Sequence, residues 1–262
     1  PHMAIRRTPR RSDRATLRGA SDDYWSLSAR PLHSLVLLLP LVIAYEVMAL
    51  TYLTEWSSGI QRTVLAHRLL SSFLELFGVI GLMLPGPLML LVLLAWHIFS
   101  KDRWTLRPLV LVGMVLESIL WALPLVVFAA LLQRAEAAAA LAAGTDLHTL
   151  STGARVAISL GAGLYEELLF RLIAIALLHA IVKDLLGQSE SIARVVAIVV
   201  SSLLFAIYHP ITGPAGIEWW KLIFYFTAGV FFASLYLARG FGVVVATHAA
   251  YDIIVLVLLH RP

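Results

Sequence analysis

The stretch HSLVLLLPLVIAYEVMALTYL, His33 to Leu53, decides the fold class. It holds one carboxylate, Glu46, and no lysine or arginine, and it is close to the ~20 residues that a helix needs to cross a bilayer core. Similar runs follow at Arg107–Gln133, Ala154–Val182, Ile192–Tyr208, Leu222–Ala238 and Phe241–Leu259. A soluble core would break such stretches with charged faces. The composition agrees: 60% of the 262 residues are hydrophobic and the mean hydropathy is +0.86, against ~45–50% apolar in a soluble domain. The expectation is an all-α, polytopic transmembrane helix bundle.

The segment Leu69–Ser100 is too long for one untilted span and short for two, and Pro85-Gly86-Pro87 interrupts it, a helix-breaking sequence. It reads as a partial or re-entrant helix followed by a span, with two short spans as the alternative. The bundle then has seven spans and a partial helix, or eight. Charge orients it. Arg6, Arg7, Arg10, Arg11, Arg14, Arg18 and Arg30 precede the first span, Lys101, Arg103 and Arg107 lie between spans, and Lys183 and Arg194 flank a later loop. An excess of Lys and Arg marks cytoplasmic loops, so the N-terminus is expected in the cytoplasm and the loop His209–Trp220, with no Lys or Arg, on the other side.

Residues 1–30 read as a basic cytoplasmic tail, with Pro1-His2-Met3 as a tag remnant, and 31–262 as one membrane-embedded domain with its chemistry in 154–259. The tail is too charged for a signal peptide; it suits membrane lipids with anionic headgroups rather than nucleic acid. The Ala-rich run Ala135–Ala143 is helix-prone. With no cysteine, disulfides, thiolate nucleophiles and Cys-zinc sites are excluded. Short loops suggest a bacterial inner membrane.

Ionisable groups at membrane depth are costly and point to function. Glu166-Glu167-Leu-Leu-Phe-Arg171 lies mid-span. Glu167 and Arg171 are four apart and share a helical face, while Glu166 is turned away by about 100°. One glutamate is then neutralised by Arg171 and the other is free. Phe205-Ala-Ile-Tyr-His209-Pro210 places His209 at a helix end, and His248-Ala-Ala-Tyr-Asp252 is an i, i+4 pair beside small residues that permit close helix approach. Each cluster alone also reads as packing: an ion pair, an interfacial histidine, an interhelical hydrogen bond. Together they supply what peptide hydrolysis needs, a general base for water and donors for an oxyanion. Glu46, Glu75, Glu117 and His97 are weaker candidates.

The ordered set Glu-Glu-x-x-x-Arg, Phe-x-x-x-His and His-x-x-x-Asn/Asp resembles the CPBP family, the type II CAAX prenyl endopeptidases and their bacterial Abi relatives, over roughly Ala154 to Leu259. The resemblance implies an eight-helix membrane bundle and an intramembrane glutamic endopeptidase that cleaves membrane-anchored or lipidated protein tails. Glu166 would activate water with His209 beside it, Glu167 and Arg171 would support the site, and His248 with residue 252 would hold the oxyanion. No metal or cofactor is implied. Position 252 departs from the eukaryotic asparagine. Asp252 must be protonated there or orient His248, because an ionised carboxylate would repel an oxyanion. Two histidines and a glutamate also make a legitimate zinc set, although no His-Glu-x-x-His occurs; the serine-type Gly-x-Ser-Gly and the aspartyl-type Gly-x-Gly-Asp are missing as well. A transporter or proton relay uses similar residues but is expected to carry inverted repeats, of which the sequence has none. A non-enzymatic scaffold for a partner's transmembrane segment is the remaining alternative.

Overall fold

In a bilayer the backbone must satisfy its own hydrogen bonds, which confines spanning segments to helices or closed barrels. The apolar runs accordingly fold as helices. The computed structural model describes residues 23–55, 60–61, 63–78, 85–137, 150–214 and 216–259. The expected tag remnant, most of the expected basic tail and Ala138–Ala143 of the alanine run lie outside the described residues. The helices are α1 (Tyr24–Ser28), α2 (Pro31–Met48, prolonged by a π turn at Ala49–Leu53), α3 (Leu65–Glu75), α4 (Pro85–Phe99), α5 (Pro108–Ala137), α6 (152–185), α7 (Glu190–Tyr208), α8 (Trp219–Arg239) and α9 (Phe241–Ile253, prolonged by a π turn at Ile254–Leu258). Two short antiparallel ladders sit in loops: β1 (Thr54–Glu55) with β2 (Ile60–Gln61), and β3 (Thr212–Gly213) with β4 (Gly216–Ile217).

Five helices are long and apolar enough to cross a membrane, over Pro31–Leu53, Pro108–Leu132, Glu190–Tyr208, Trp219–Arg239 and Phe241–Leu258; Pro85–Phe99 is a shorter apolar helix. The molecule is an integral membrane helix bundle. Seven crossings also require α4 and α6, and eight require α3 as well; none of the three is among the helices long and apolar enough to cross. The proline pair falls at the start of α4, where the lost N–H has no intrahelical acceptor. α3 begins at Leu65 rather than Leu69, because its one-sided apolar stripe tolerates His67 and Arg68.

α6 departs from the regular helix expected over Ala154–Val182. It runs as α-helix over Thr152–Gly161, as π-helix over Ala162–Glu166 and Leu168–Ala174, as α-helix over Ile175–Ala180 and as π-helix over Ile181–Leu185. Such widened turns are rare and frequent at functional sites. They bracket Glu167 and leave both glutamates buried, at 5% and 0% exposure.

The bundle is apolar outside and mixed inside. On α5, Leu109, Leu116, Leu120 and Leu131 are exposed while Met114, Ala122 and Leu125 are buried, as expected where lipid is the solvent. Glycines let the site helices meet closely. A Cβ on Gly163 of α6 would lie 2.8 Å from the backbone nitrogen of Ala249 in α9, and one on Gly229 of α8 would lie 2.9 Å from Ser202 Cα in α7. Small residues serve this purpose in membrane bundles. At one end of the bundle, Arg239 makes two bonds to Glu117, at 2.5 and 2.9 Å, one to Ser28 Oγ at 2.8 Å, and lies over the Trp25 ring. Tyr24 also bonds Glu117. This ties α1, α5 and α8 together and removes Glu117 from the catalytic candidates.

Candidate active site

The five carboxylate and imidazole groups come from three helices. Glu166 ends one π turn of α6 and Glu167 stands between it and the next, His209 stands just past the end of α7, and His248 and Asp252 occupy successive turns of α9. Glu166, His209, His248 and Asp252 all line one cavity of about 590 Å³, whose walls include Val126, Ala129, Phe224 and Leu256. Glu167 and Arg171 lie behind it, 0% and 1% exposed.

Glu167 has two partners. Its Oε2 is 3.1 Å from Arg171 Nε, and its Oε1 is 2.7 Å from His248 Nδ1. The sequence pairs it with Arg171 only; the bond to His248 spans 81 positions and has no local signal. Arg171 also donates to the Gly229 carbonyl at 3.3 Å and lies 4.5 Å from the Phe205 ring centroid and 5.5 Å from that of Phe232. A buried guanidinium needs such company, because an unpaired one would be very costly. Phe232 stacks on His248 with centroids 4.5 Å apart. The imidazole is thus clamped between a carboxylate and an aromatic face, with Nε2 left toward the cavity. Nε2 is 3.9 Å from Glu166 Oε2 and 3.8 Å from Asp252 Oδ2. Asp252 therefore does not hold the orienting nitrogen of His248; Glu167 does.

His209 is oriented from the other side. Its Nδ1 lies 2.8 Å from the Phe205 carbonyl; a carbonyl only accepts, so Nδ1 carries the hydrogen. In the neutral ring Nε2 is then an acceptor, and it faces Glu166 Oε2 at 3.6 Å. Tyr225 stacks on this ring with centroids 4.0 Å apart. Glu166 Oε2 is buried and has no hydrogen bond among the described residues. Two imidazole nitrogens just under 4 Å away are too far for direct bonds and well spaced for a bridging water. Glu166 Oε1, by contrast, accepts the Tyr208 hydroxyl at 3.2 Å.

Tyr208, Tyr225 and Phe232 are site residues that the sequence does not reveal as such. Tyr208 is marked only by its place beside His209, and the other two reach their histidines from α8. Of the weaker candidates, Glu46 accepts the Tyr165 hydroxyl at 3.0 Å, outside the cavity wall. Glu75 is exposed, and His97 is buried with its ring 4.4 Å from that of Trp104. Among the described residues no group of three or more His, Cys, Asp or Glu is arranged to hold a metal ion.

No curated protein and no solved structure matches the chain. The stretch 148–254, which carries Glu166, Glu167, Arg171, His209, His248 and Asp252, matches the family model described as type II CAAX prenyl endopeptidase Rce1-like.

Proposed function

We propose that this protein is an intramembrane endopeptidase that hydrolyses membrane-anchored or lipidated protein tails with Glu166 as general base. The observation that carries the reading is the unpartnered Oε2 of Glu166 on the cavity wall, facing His209 Nε2 at 3.6 Å and His248 Nε2 at 3.9 Å. Water held between Glu166 and His209 gives one proton to Glu166 as its oxygen adds to the scissile carbonyl carbon. The carbonyl oxygen takes the negative charge and receives the Nε2–H of His248. In that state His248 is an imidazolium, balanced by Glu167 through Nδ1, while Arg171 balances Glu167. As the tetrahedral adduct collapses, the C–N bond breaks and Glu166 returns its proton to the leaving amine. The family name supplies the substrate class, a prenylated CAAX tail, and the apolar part of the wall offers a surface for a lipid chain.

The same reading assigns seven crossings. Arg30 pairs with Asp102 at 3.5 Å, bringing the start of α2 to the loop after α4. Arg239 meets Glu117, and Lys183 meets Glu190 at 2.5 Å, so the ends of α8 and α6 join the starts of α5 and α7. These contacts, with the alternation of the helices between them, support α2 leaving one face, α4 returning, and α5 to α9 alternating. α3 stays at the far side, where Ala66 meets Tyr208 at the end of α7.

The test uses the protein in lipid nanodiscs with an internally quenched farnesylated peptide ending in a CAAX tail. The expected result is cleavage that falls about 10²–10⁴-fold in Glu166→Gln, the usual weight of a general base, and that is unchanged by a strong chelator. Loss of activity in chelator with recovery on adding zinc would assign a metallopeptidase instead. Full activity in Glu166→Gln would remove the glutamate mechanism.

A further inference from the structure

The two oxygens of Glu166 have different surroundings, and one of them is held by something outside the cavity. Oε1 lies 3.2 Å from the Tyr208 hydroxyl, and the Tyr208 oxygen lies 2.8 Å from the backbone nitrogen of Ala66. The amide can only donate and a carboxylate oxygen can only accept, so the hydroxyl accepts from Ala66 and donates to Glu166. The chain Ala66 N–H, Tyr208 O–H, Glu166 Oε1 crosses α3, α7 and α6. Ala66 sits in the first turn of α3, whose amides have no acceptor within the helix, and no side chain of its own N-cap, Val64, satisfies them. The Tyr208 ring packs edge-on against Phe170, centroids 5.2 Å apart at 70°. His209 lines the cavity and its neighbour Tyr208 does not.

We propose that Tyr208 is a positioning residue, whose hydroxyl, anchored by the Ala66 amide, fixes the Glu166 carboxylate so that Oε2 faces the two histidines. This rests on the reading of Glu166 as the base. The terminal torsion of a glutamate is broad and two-fold, so burial alone leaves the orientation of the carboxylate plane loosely set. Holding one oxygen sets the other. The docking of α3 against the end of α7 therefore governs the geometry of a carboxylate carried by α6. Because Tyr208 is not among the residues that line the cavity, its hydroxyl is expected to act on the chemical step and not on binding.

The experiment compares Tyr208→Phe, which keeps the ring and deletes the hydroxyl, with Ala66→Pro, which deletes the amide donor within the first helical turn, where proline is tolerated. With the quenched farnesylated peptide in nanodiscs, Tyr208→Phe is expected to lower kcat about 10–100-fold, the scale of a misplaced catalytic group, with KM changed less than about twofold. The double variant should be no slower than Tyr208→Phe alone, because both cut one chain. Hydrogen–deuterium exchange supplies a readout that needs no substrate: the Ala66 amide should exchange at least about tenfold faster in Tyr208→Phe, and unchanged exchange would overturn the tether even if the peptide is not a substrate. Wild-type kcat in Tyr208→Phe beside an inactive Glu166→Gln would refute the positioning and leave the base assignment standing, whereas an active Glu166→Gln would remove the assignment itself. A rise in KM matching the loss in rate, or multiplicative losses in the double variant, would also overturn the proposal.

Discussion

Asp252 is the residue whose chemistry the sequence poses most sharply and the geometry narrows most. Its Oδ2 lies 3.8 Å from His248 Nε2, the nitrogen left toward the cavity, while Nδ1 is already held by Glu167 at 2.7 Å. A carboxylate there cannot be the group that orients His248. It shares the ground on which a developing oxyanion would sit, and an ionised form would oppose that charge. An amide offers an N–H in its place. Asp252→Asn is therefore expected to keep kcat or to raise it by up to about tenfold, roughly the worth of one hydrogen bond, and Asp252→Leu to lower it. Steady-state rates on the farnesylated peptide decide this. A fall beyond about 100-fold in Asp252→Asn would make Asp252 a proton carrier in its own right.

At the scale of the element, the site depends on how closely α6 approaches α9. Glu167 reaches His248 only because Gly163, one turn earlier, lies against Ala249, one residue beyond His248. A Cβ at 163 would stand 2.8 Å from the Ala249 nitrogen and 2.9 Å from the Val245 carbonyl oxygen, both backbone, and backbone cannot step aside as a side-chain tip can. Gly163→Ala is thus expected to push the two helices apart, stretch the Glu167–His248 bond and lower both activity and the thermal midpoint of the detergent-solubilised protein. A variant with wild-type rate and midpoint would mean that the crossing is softer than the distances imply. Element identities were legible in the sequence: Ile192–Tyr208 and Phe241–Leu259 differ by at most two residues from the spans Glu190–Tyr208 and Phe241–Leu258, because a long apolar run has one stable form in lipid. The pairing of Glu167 with Arg171 was legible for the same local reason, a fixed helical spacing. The π turns of α6, the hold of Glu167 on His248 and the stacking of Tyr225 on His209 were not, since each is decided by a neighbouring helix far away in the chain.

At the scale of the whole molecule, the distribution of charge bears on which side of the membrane the cavity serves. With seven crossings, Arg30, Lys101, Arg103, Arg107, Lys183, Arg194 and Arg239 fall at the end of the bundle where α2, α5, α7 and α9 begin, and the basic tail precedes them. By the positive-inside bias this end is expected to be cytoplasmic. His209 stands at the opposite end of α7, and the cavity wall includes Val64, Trp220, Val255 and Leu259, all from the corresponding ends of their segments. The cavity is accordingly expected to open toward the non-cytoplasmic face. A chain without native cysteine allows a direct measurement. The β3–β4 hairpin beside His209 is the place for the label, and its residues are not equivalent. A side chain at Gly213 would meet Glu218 Oε1 at 2.1 Å, Gly216 has φ +107, and Ile217 is 49% exposed. Ile217→Cys should therefore react with an impermeant maleimide added to intact cells, whereas a cysteine replacing Arg103 should react only after the cells are opened. The reverse pattern would invert every crossing and open the cavity to the cytoplasm. It would also leave seven basic residues and the tail on the outer face, against a bias that holds best for short loops such as these.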